Sequence, residues 1–179
     1  MEEVKQTPQD IKDTDFVEEK IVRPSWDEYF ANLVDPIGSR GTCDRAKSGA
    51  LIVSKHNTIL ATGYIGAPPG QPHCDEVGHL MRTVVYEDGH SQQHCVRTLH
   101  AEENAMLQCA KDGIRLDGAI IYCKMVPCWN CAMRIIRVGI TKVVAKKRYH
   151  ADAQSVEMLK NSGIELVVLD DSIEKYANQ

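Results

Sequence analysis

The chain has 179 residues, a formal net charge of −4 and seven cysteines. That length suits one domain with its own core, and no run approaches the ~18 apolar residues of a membrane span. The acidic balance, with no dense Lys/Arg run, argues against a general nucleic-acid binder, and an odd cysteine count argues against a complete disulfide framework.

Residues 1–23 are acidic and polar with little apolar periodicity, so they read as a flexible tail ahead of one domain over 24–179. They do not read as a signal peptide, and a cytoplasmic protein is expected. Seven cysteines are many for a reducing compartment unless some bind metal. Pro24 and Ser25 start a helix in which Trp26, Tyr29, Phe30, Leu33 and Val34 recur at three and four. Residues 38–47 read as a loop or broken helix. Residues 50–53 and 58–64 read as a hairpin turning through Lys55, His56 and Asn57. Residues 65–97 show little regular pattern, and so long a loop in a compact domain is expected to be functional or pinned.

Residues 101–111 form a helix stopped by Gly113. A strand over 119–126, a helix over 128–138 ended by Gly139, a short strand over 142–145, a helix over 151–161 and a last strand over 165–169 follow. A hairpin followed by alternating helices and strands predicts an α/β fold, with helices on both faces of a mixed sheet.

Two strings carry the chemistry: His100-Ala101-Glu102 and Pro127-Cys128-Trp129-Asn130-Cys131. Cys128 and Cys131 are one helical turn apart, so both sulfurs can reach one ion. His100 adds a nitrogen from elsewhere. Three protein ligands leave a fourth tetrahedral position open, the mark of a catalytic zinc. Pro127 suits a helix entry, where its missing N–H costs nothing, and puts Cys128 at a helix N-terminus, which favours thiolate. Glu102 is not needed as a ligand and is free to move protons. The pattern is similar to the H-x-E…P-C-x-x-C signature of the zinc-dependent nucleobase deaminases.

From residue 24 to 169 the chain resembles the deoxycytidylate (dCMP) deaminases. The resemblance rests on Thr42-Cys43-Asp44-Arg45, on Gly63-Tyr64-Ile65-Gly66-Ala67-Pro68-Pro69-Gly70, on His73-Cys74-Asp75-Glu76, on His94-Cys95-Val96-Arg97-Thr98, and on the two strings above. It implies a cytidine-deaminase-like three-layer α/β/α sandwich around a sheet of about five strands. It implies conversion of dCMP to dUMP and ammonia for thymidylate synthesis, in a homo-hexamer that takes Zn²⁺ and acts on neither nucleic acid nor membrane. It also implies activation by dCTP with Mg²⁺ and inhibition by dTTP. The expected site for these effectors is Gly63, Tyr64, Gly66 and Gly70, with Arg45 as charge partner, since glycines let backbone approach phosphate. Tyr149 stands where the family sets an aromatic ring against the pyrimidine.

The chain departs from the family at Ile65, where an Asn is usual for the substrate sugar. Either another residue takes over, Asn32 and Asn57 being the candidates, or sugar recognition has shifted. Some family members carry a second zinc, and Cys43, Cys74 and Cys95 with His79 are the expected ligands, His94 being the alternative to His79. Cys109 and Cys123 read as buried apolar side chains. The rival readings are a deaminase of dCTP or of a cytosine nucleoside, and a non-catalytic, zinc-stabilised nucleotide-binding module.

Overall fold

A computed structural model describes residues 22–85, 89 and 91–174. The expected tail lies outside these, apart from residues 22 and 23. Helix α1 spans Trp26–Gly38, later than Pro24 because Ser25 is its cap. The Ser25 hydroxyl accepts from the Glu28 N–H at 3.2 Å while Glu28 Oε2 accepts from the Ser25 N–H at 2.8 Å. Strands β1 (Gly49–Val53) and β2 (Ile59–Tyr64) form the expected hairpin. Then come α2 (Cys74–Val77), β3 (Met81–Val85), β4 (Ser91–Cys95), α3 (Ala101–Asp112), β5 (Ile120–Met125), α4 (Trp129–Arg137), β6 (Lys142–Arg148), α5 (Ala153–Asn161) and β7 (Glu165–Ile173).

The main sheet has five strands in the order β2-β1-β5-β6-β7. The β2/β1 and β1/β5 pairs are antiparallel, and β5/β6 and β6/β7 are parallel. The parallel pairs are joined through α4 and α5, the crossover that parallel strands require. Strand β1 is buried along its whole length, so its two faces feed two cores. Leu51 and Val53 meet Phe30, Ala31 and Val34 of α1 on one face. Ala50 and Ile52 meet α3, α4 and α5 on the other, through Ala105, Ile135 and Leu159. The fold is therefore the expected α/β/α sandwich on a mixed five-strand sheet. Cys109 and Cys123 are buried in the second core. Among the described residues, no helix is long and apolar enough to cross a membrane.

The 65–97 stretch is where the fold departs from expectation. It holds a short helix and an antiparallel hairpin, β3/β4, that forms its own two-stranded sheet. Most of its side chains are exposed or half-buried, so no apolar alternation marks it in the sequence. Strands β6 and β7 also run past their expected ends. Their polar extensions pair Lys147 with Asp170 and Arg148 with Ile173.

Candidate active site and a second cysteine cluster

Two helices begin at one place. His100 is the N-cap of α3 and Cys128 the N-cap of α4, both in extended backbone. His100 Nδ1 stands 3.4 Å from Cys128 Sγ and 3.5 Å from Cys131 Sγ, and the three ligand atoms lie within 4.8 Å of one another. Tetrahedral zinc, with its usual Zn–S and Zn–N lengths, sets such N···S separations at about 3.5 Å. The donor set therefore fits that ion, with one position left over. Hydrogen bonding from Cys131, and then from His100, pulls the Cys128 thiol down to about 4. Cys128 in turn pushes His100 up to about 9, and Cys131 is pushed well above the usual thiol range. One ready thiolate at a helix N-terminus is what a metal-binding cluster needs.

Glu102 lies in the first turn of α3 and is 8% exposed. Burial raises its pKa against the pull of His100, so the carboxyl is poised to hold a proton rather than sit as a solvated anion. Glu102, His100 and Cys128 line one cavity of about 500 Å³. Tyr149 lines it too, at the end of β6. The turn that carries this ring is fixed by Asp152, which accepts from Arg148 Nε at 2.6 Å, Arg148 Nη2 at 2.8 Å and the Tyr149 N–H at 3.2 Å.

The start of α3 is set by the 63–66 segment. Gly66 and Leu99 exchange backbone hydrogen bonds of 3.3 and 3.0 Å, and Asn104 Nδ2 donates to the Tyr64 carbonyl at 2.8 Å. A Cβ on Gly63 would stand 2.2 Å from the Ala101 carbonyl oxygen and 2.5 Å from the Ala105 nitrogen. Gly63 is thus glycine so that β2 can press against α3, which corrects the expectation that it cradles phosphate. Gly70 has φ +81° in open space, in the turn after Pro68. Arg45 is not with these residues: it lines the large cavity, and none of the four expected partners does. Of the five residues expected to form one effector site, Arg45 alone lines this cavity.

Ile65 is buried against Cys43 and Cys74 and lines the cavity. Asn32 instead borders a shallow groove with Arg23 and Leu169, and Asn57 occupies the β1–β2 turn at φ 61°. Neither reaches the cavity, so neither replaces the missing amide. Polar lining comes instead from Ser48, Thr98, Gln92 and Gln93. Gln92 and Gln93 lie on the hairpin, for which the sequence gives no strand signal.

Cys43, Cys74, His79 and Cys95 form a second cluster, with all four ligand atoms within 4.8 Å. Cys74 and Cys95 are 3.6 Å apart at sulfur, and Cys43 Sγ is 3.7 Å from His79 Nδ1. These separations also fit tetrahedral zinc, now with no position left over. His79 Nε2 meets Asp44 Oδ1 at 2.9 Å, the carboxylate support that metal-binding histidines usually have. His94 is absent from this cluster and lines the cavity.

Three donors with an open position, beside a buried carboxylate in a small-molecule cavity, define a metal site of the catalytic kind. The sequence pattern of the cytidine and deoxycytidylate deaminase zinc-binding region matches residues 24–147, and the chain belongs to that family. The deoxycytidylate deaminase of Saccharomyces cerevisiae is 38% identical over 145 residues, covering 80% of this chain and 45% of that protein. The one of Schizosaccharomyces pombe is 32% identical over 156 residues, covering 87% and 48%. The chain thus spans about half the length of these two relatives. The dCMP deaminase of cyanophage S-TIM5, solved in complex with dCMP and dUMP, superposes with a TM-score of 0.64 at 28% identity, covering 81% of this chain and 97% of that one.

Proposed function

We propose that this protein hydrolyses dCMP to dUMP and ammonia. The observation that carries the reading is the buried Glu102 carboxyl, in one cavity with His100 and Cys128 and outside the ligand set. A zinc ion on His100, Cys128 and Cys131 would lower the pKa of a water in its open position towards neutrality. Glu102 accepts a proton from the attacking water and delivers it to pyrimidine N3. It then takes the second proton from the hydroxyl added at C4 and passes it to the amino group, so that the C4–N bond breaks, ammonia leaves and the C4 carbonyl of dUMP forms. A carboxyl of raised pKa suits both transfers, since it must take and return the same proton. Tyr149 offers a flat ring for the base to pack against. The cyanophage complex with dCMP and dUMP supports the choice of substrate.

On this reading Cys43, Cys74, His79 and Cys95 hold a second, closed zinc that pins the hairpin. The family resemblance further supports a homo-hexamer in which dCTP with Mg²⁺ raises activity and dTTP lowers it. The deciding experiment is ammonia release from dCMP, dCTP, cytidine and deoxycytidine, each with and without dCTP and dTTP as effectors. Preferred turnover of dCMP supports the proposal. Preference for dCTP or a nucleoside would shift the substrate but keep the reaction. No ammonia from any of the four would favour a nucleotide-binding module, for which a buried proton carrier has no use.

A further inference from the structure

Glu102 reaches the cavity from the first turn of α3, so the setting of that helix on the sheet decides where the carboxyl points. Gly63 lets β2 press against the helix, since a Cβ there would stand 2.2 Å from the Ala101 carbonyl oxygen. Packing of this kind has no direction. It fixes how near the helix lies more firmly than how the helix is rotated.

Asn104 supplies the direction. It closes the first turn of α3, where its backbone N–H donates to the His100 carbonyl at 2.9 Å. Its side-chain Nδ2 donates to the Tyr64 carbonyl at 2.8 Å and stands 3.5 Å from the Gly66 carbonyl. One amide group thus reaches the backbone on both sides of Ile65. Ile65 is itself held from another direction. Its N–H donates to the Ser48 carbonyl and its carbonyl accepts from the Thr42 N–H, each at 3.0 Å. The backbone around Ile65 is therefore a fixed rail, and Ile65 and Ser48 line the same cavity as Glu102.

Glu102 depends on that rail more than its neighbour does. His100 is drawn into a cluster with Cys128 and Cys131 of the α4 start, whereas among the described residues Glu102 belongs to no such cluster. Its place comes from the rotation of α3. Helix side chains extend to a radius of about 5–6 Å, so a turn of about 10° moves a carboxyl by about 1 Å. A hydrogen bond of defined length and angle resists such a turn.

We propose that Asn104 is a positioning residue for the deamination: by pinning α3 to the backbone around Ile65, it sets the rotation that aims Glu102 into the cavity. The proposal rests on the deaminase reading above.

The test uses the zinc-loaded full chain. Asn104→Asp keeps the size of the side chain and removes its N–H donor. Asn104→Ala removes the group, and Asn104→Ser leaves a shorter donor. Kinetics on dCMP, zinc content and melting temperature are measured for each, alone and in the Glu102→Gln background. Crystal structures are solved for the wild type, Asn104→Asp and Asn104→Ser. A misplacement of about 1 Å can cost about 100-fold in rate. Asn104→Asp and Asn104→Ala should therefore lower kcat by about 10- to 100-fold, with the dCMP KM within about threefold and the zinc content unchanged. In the Glu102→Gln background the same substitutions should cost less than about threefold more, because the group they misplace is already disabled. The Glu102 side chain should move by about 0.5 Å or more in the Asn104→Asp crystal. Asn104→Ser should fall between wild type and Asn104→Asp in both readouts, which keeps the test open if the other variants fold poorly.

Equal losses with and without the Glu102 carboxyl would overturn the proposal, since a general weakening of the fold acts on whatever chemistry remains. So would a raised KM at unchanged kcat, or loss of zinc. If the wild type releases no ammonia, the deaminase reading fails by itself. The crystal structures then decide the positioning role: a displaced Glu102 supports it, and an unmoved Glu102 refutes it.

Discussion

Glu102→Gln isolates the proton carrier from the metal. The side chain keeps its shape, and the cluster that could hold the ion is His100, Cys128 and Cys131 alone. An amide in the same buried place can neither take a proton from water nor give one to N3. Loss of general acid–base catalysis typically costs 10²- to 10⁴-fold in rate, which is about 3–5 kcal/mol of barrier at 1.36 kcal/mol per tenfold. The carboxyl serves two transfers in one cycle, so the upper half of that range is expected. Burial disfavours the ionised carboxylate, so a neutral amide should not unfold the protein. Ammonia release should fall at least about 10³-fold while zinc content and melting temperature stay near wild type. A variant with kcat within about threefold of wild type would refute the assignment, and a variant that lost its zinc would make Glu102 a ligand.

Gly63→Ala puts a methyl group 2.2 Å from the Ala101 carbonyl oxygen, so α3 must shift. We expect about 1–3 kcal/mol of destabilisation, read as about 2–4 °C of melting temperature per kcal/mol, together with lower kcat because α3 carries His100 and Glu102. Metal analysis should find two zinc ions per wild-type chain. His100→Ala and Cys128→Ala should lose one along with activity, whereas Cys43→Ala, Cys74→Ala and Cys95→Ala should lose the other along with stability. A wild type holding one zinc that disappears in Cys128→Ala would remove the second site. Glu174 is pushed up by burial but brought down further by hydrogen bonds from Lys147 and Lys124, at 3.0 and 3.1 Å. A carboxylate with a lowered folded pKa stabilises above its unfolded value and loses that contribution as pH falls through the folded one. Glu174→Gln should therefore cost up to about 1 kcal/mol at neutral pH, and the deficit should close at acid pH. A deficit independent of pH would refute that account.

The legibility of the sequence followed burial. Strands β1 and β5 and helix α3 pack into the cores, so apolar runs and terminal glycines mark them. The β3/β4 hairpin is tied by its cluster and its cavity contacts, and its mostly exposed side chains carry no period. The last residues of β6 and β7 pair through backbone while presenting Lys147, Arg148 and Asp170, which read as loop. Within the candidate site, the one-turn spacing of Cys128 and Cys131 is legible because helix geometry makes it so. The use of Gly63 was not, since glycine serves a phosphate cradle and a tight helix–strand contact equally well. The place of Arg45 on the cavity was not legible for a related reason: sequence neighbours say nothing about which way a loop side chain faces.

Ligand count separates the two clusters. His100, Cys128 and Cys131 offer three donors and leave an ion room for an outside molecule, whereas Cys43, Cys74, Cys95 and His79 offer four and close it. Both clusters open on the same cavity, since Cys43 and Cys95 line it alongside His100 and Cys128. The closed cluster stands at the root of β4, the strand that brings His94 and Gln92 to the cavity wall. A hairpin with almost no core of its own could not hold those side chains to the tolerance that positioning requires. A zinc cross-linking its root to the 43–45 loop and to α2 would supply the rigidity that hydrophobic burial does not. The open cluster needs no such help, because α3 and α4 are already fixed through the sheet by Ala105 and Ile135. With zinc on the closed cluster, one side of the cavity would be rigid by packing and the other by coordination, and the second side is the one with polar groups to aim.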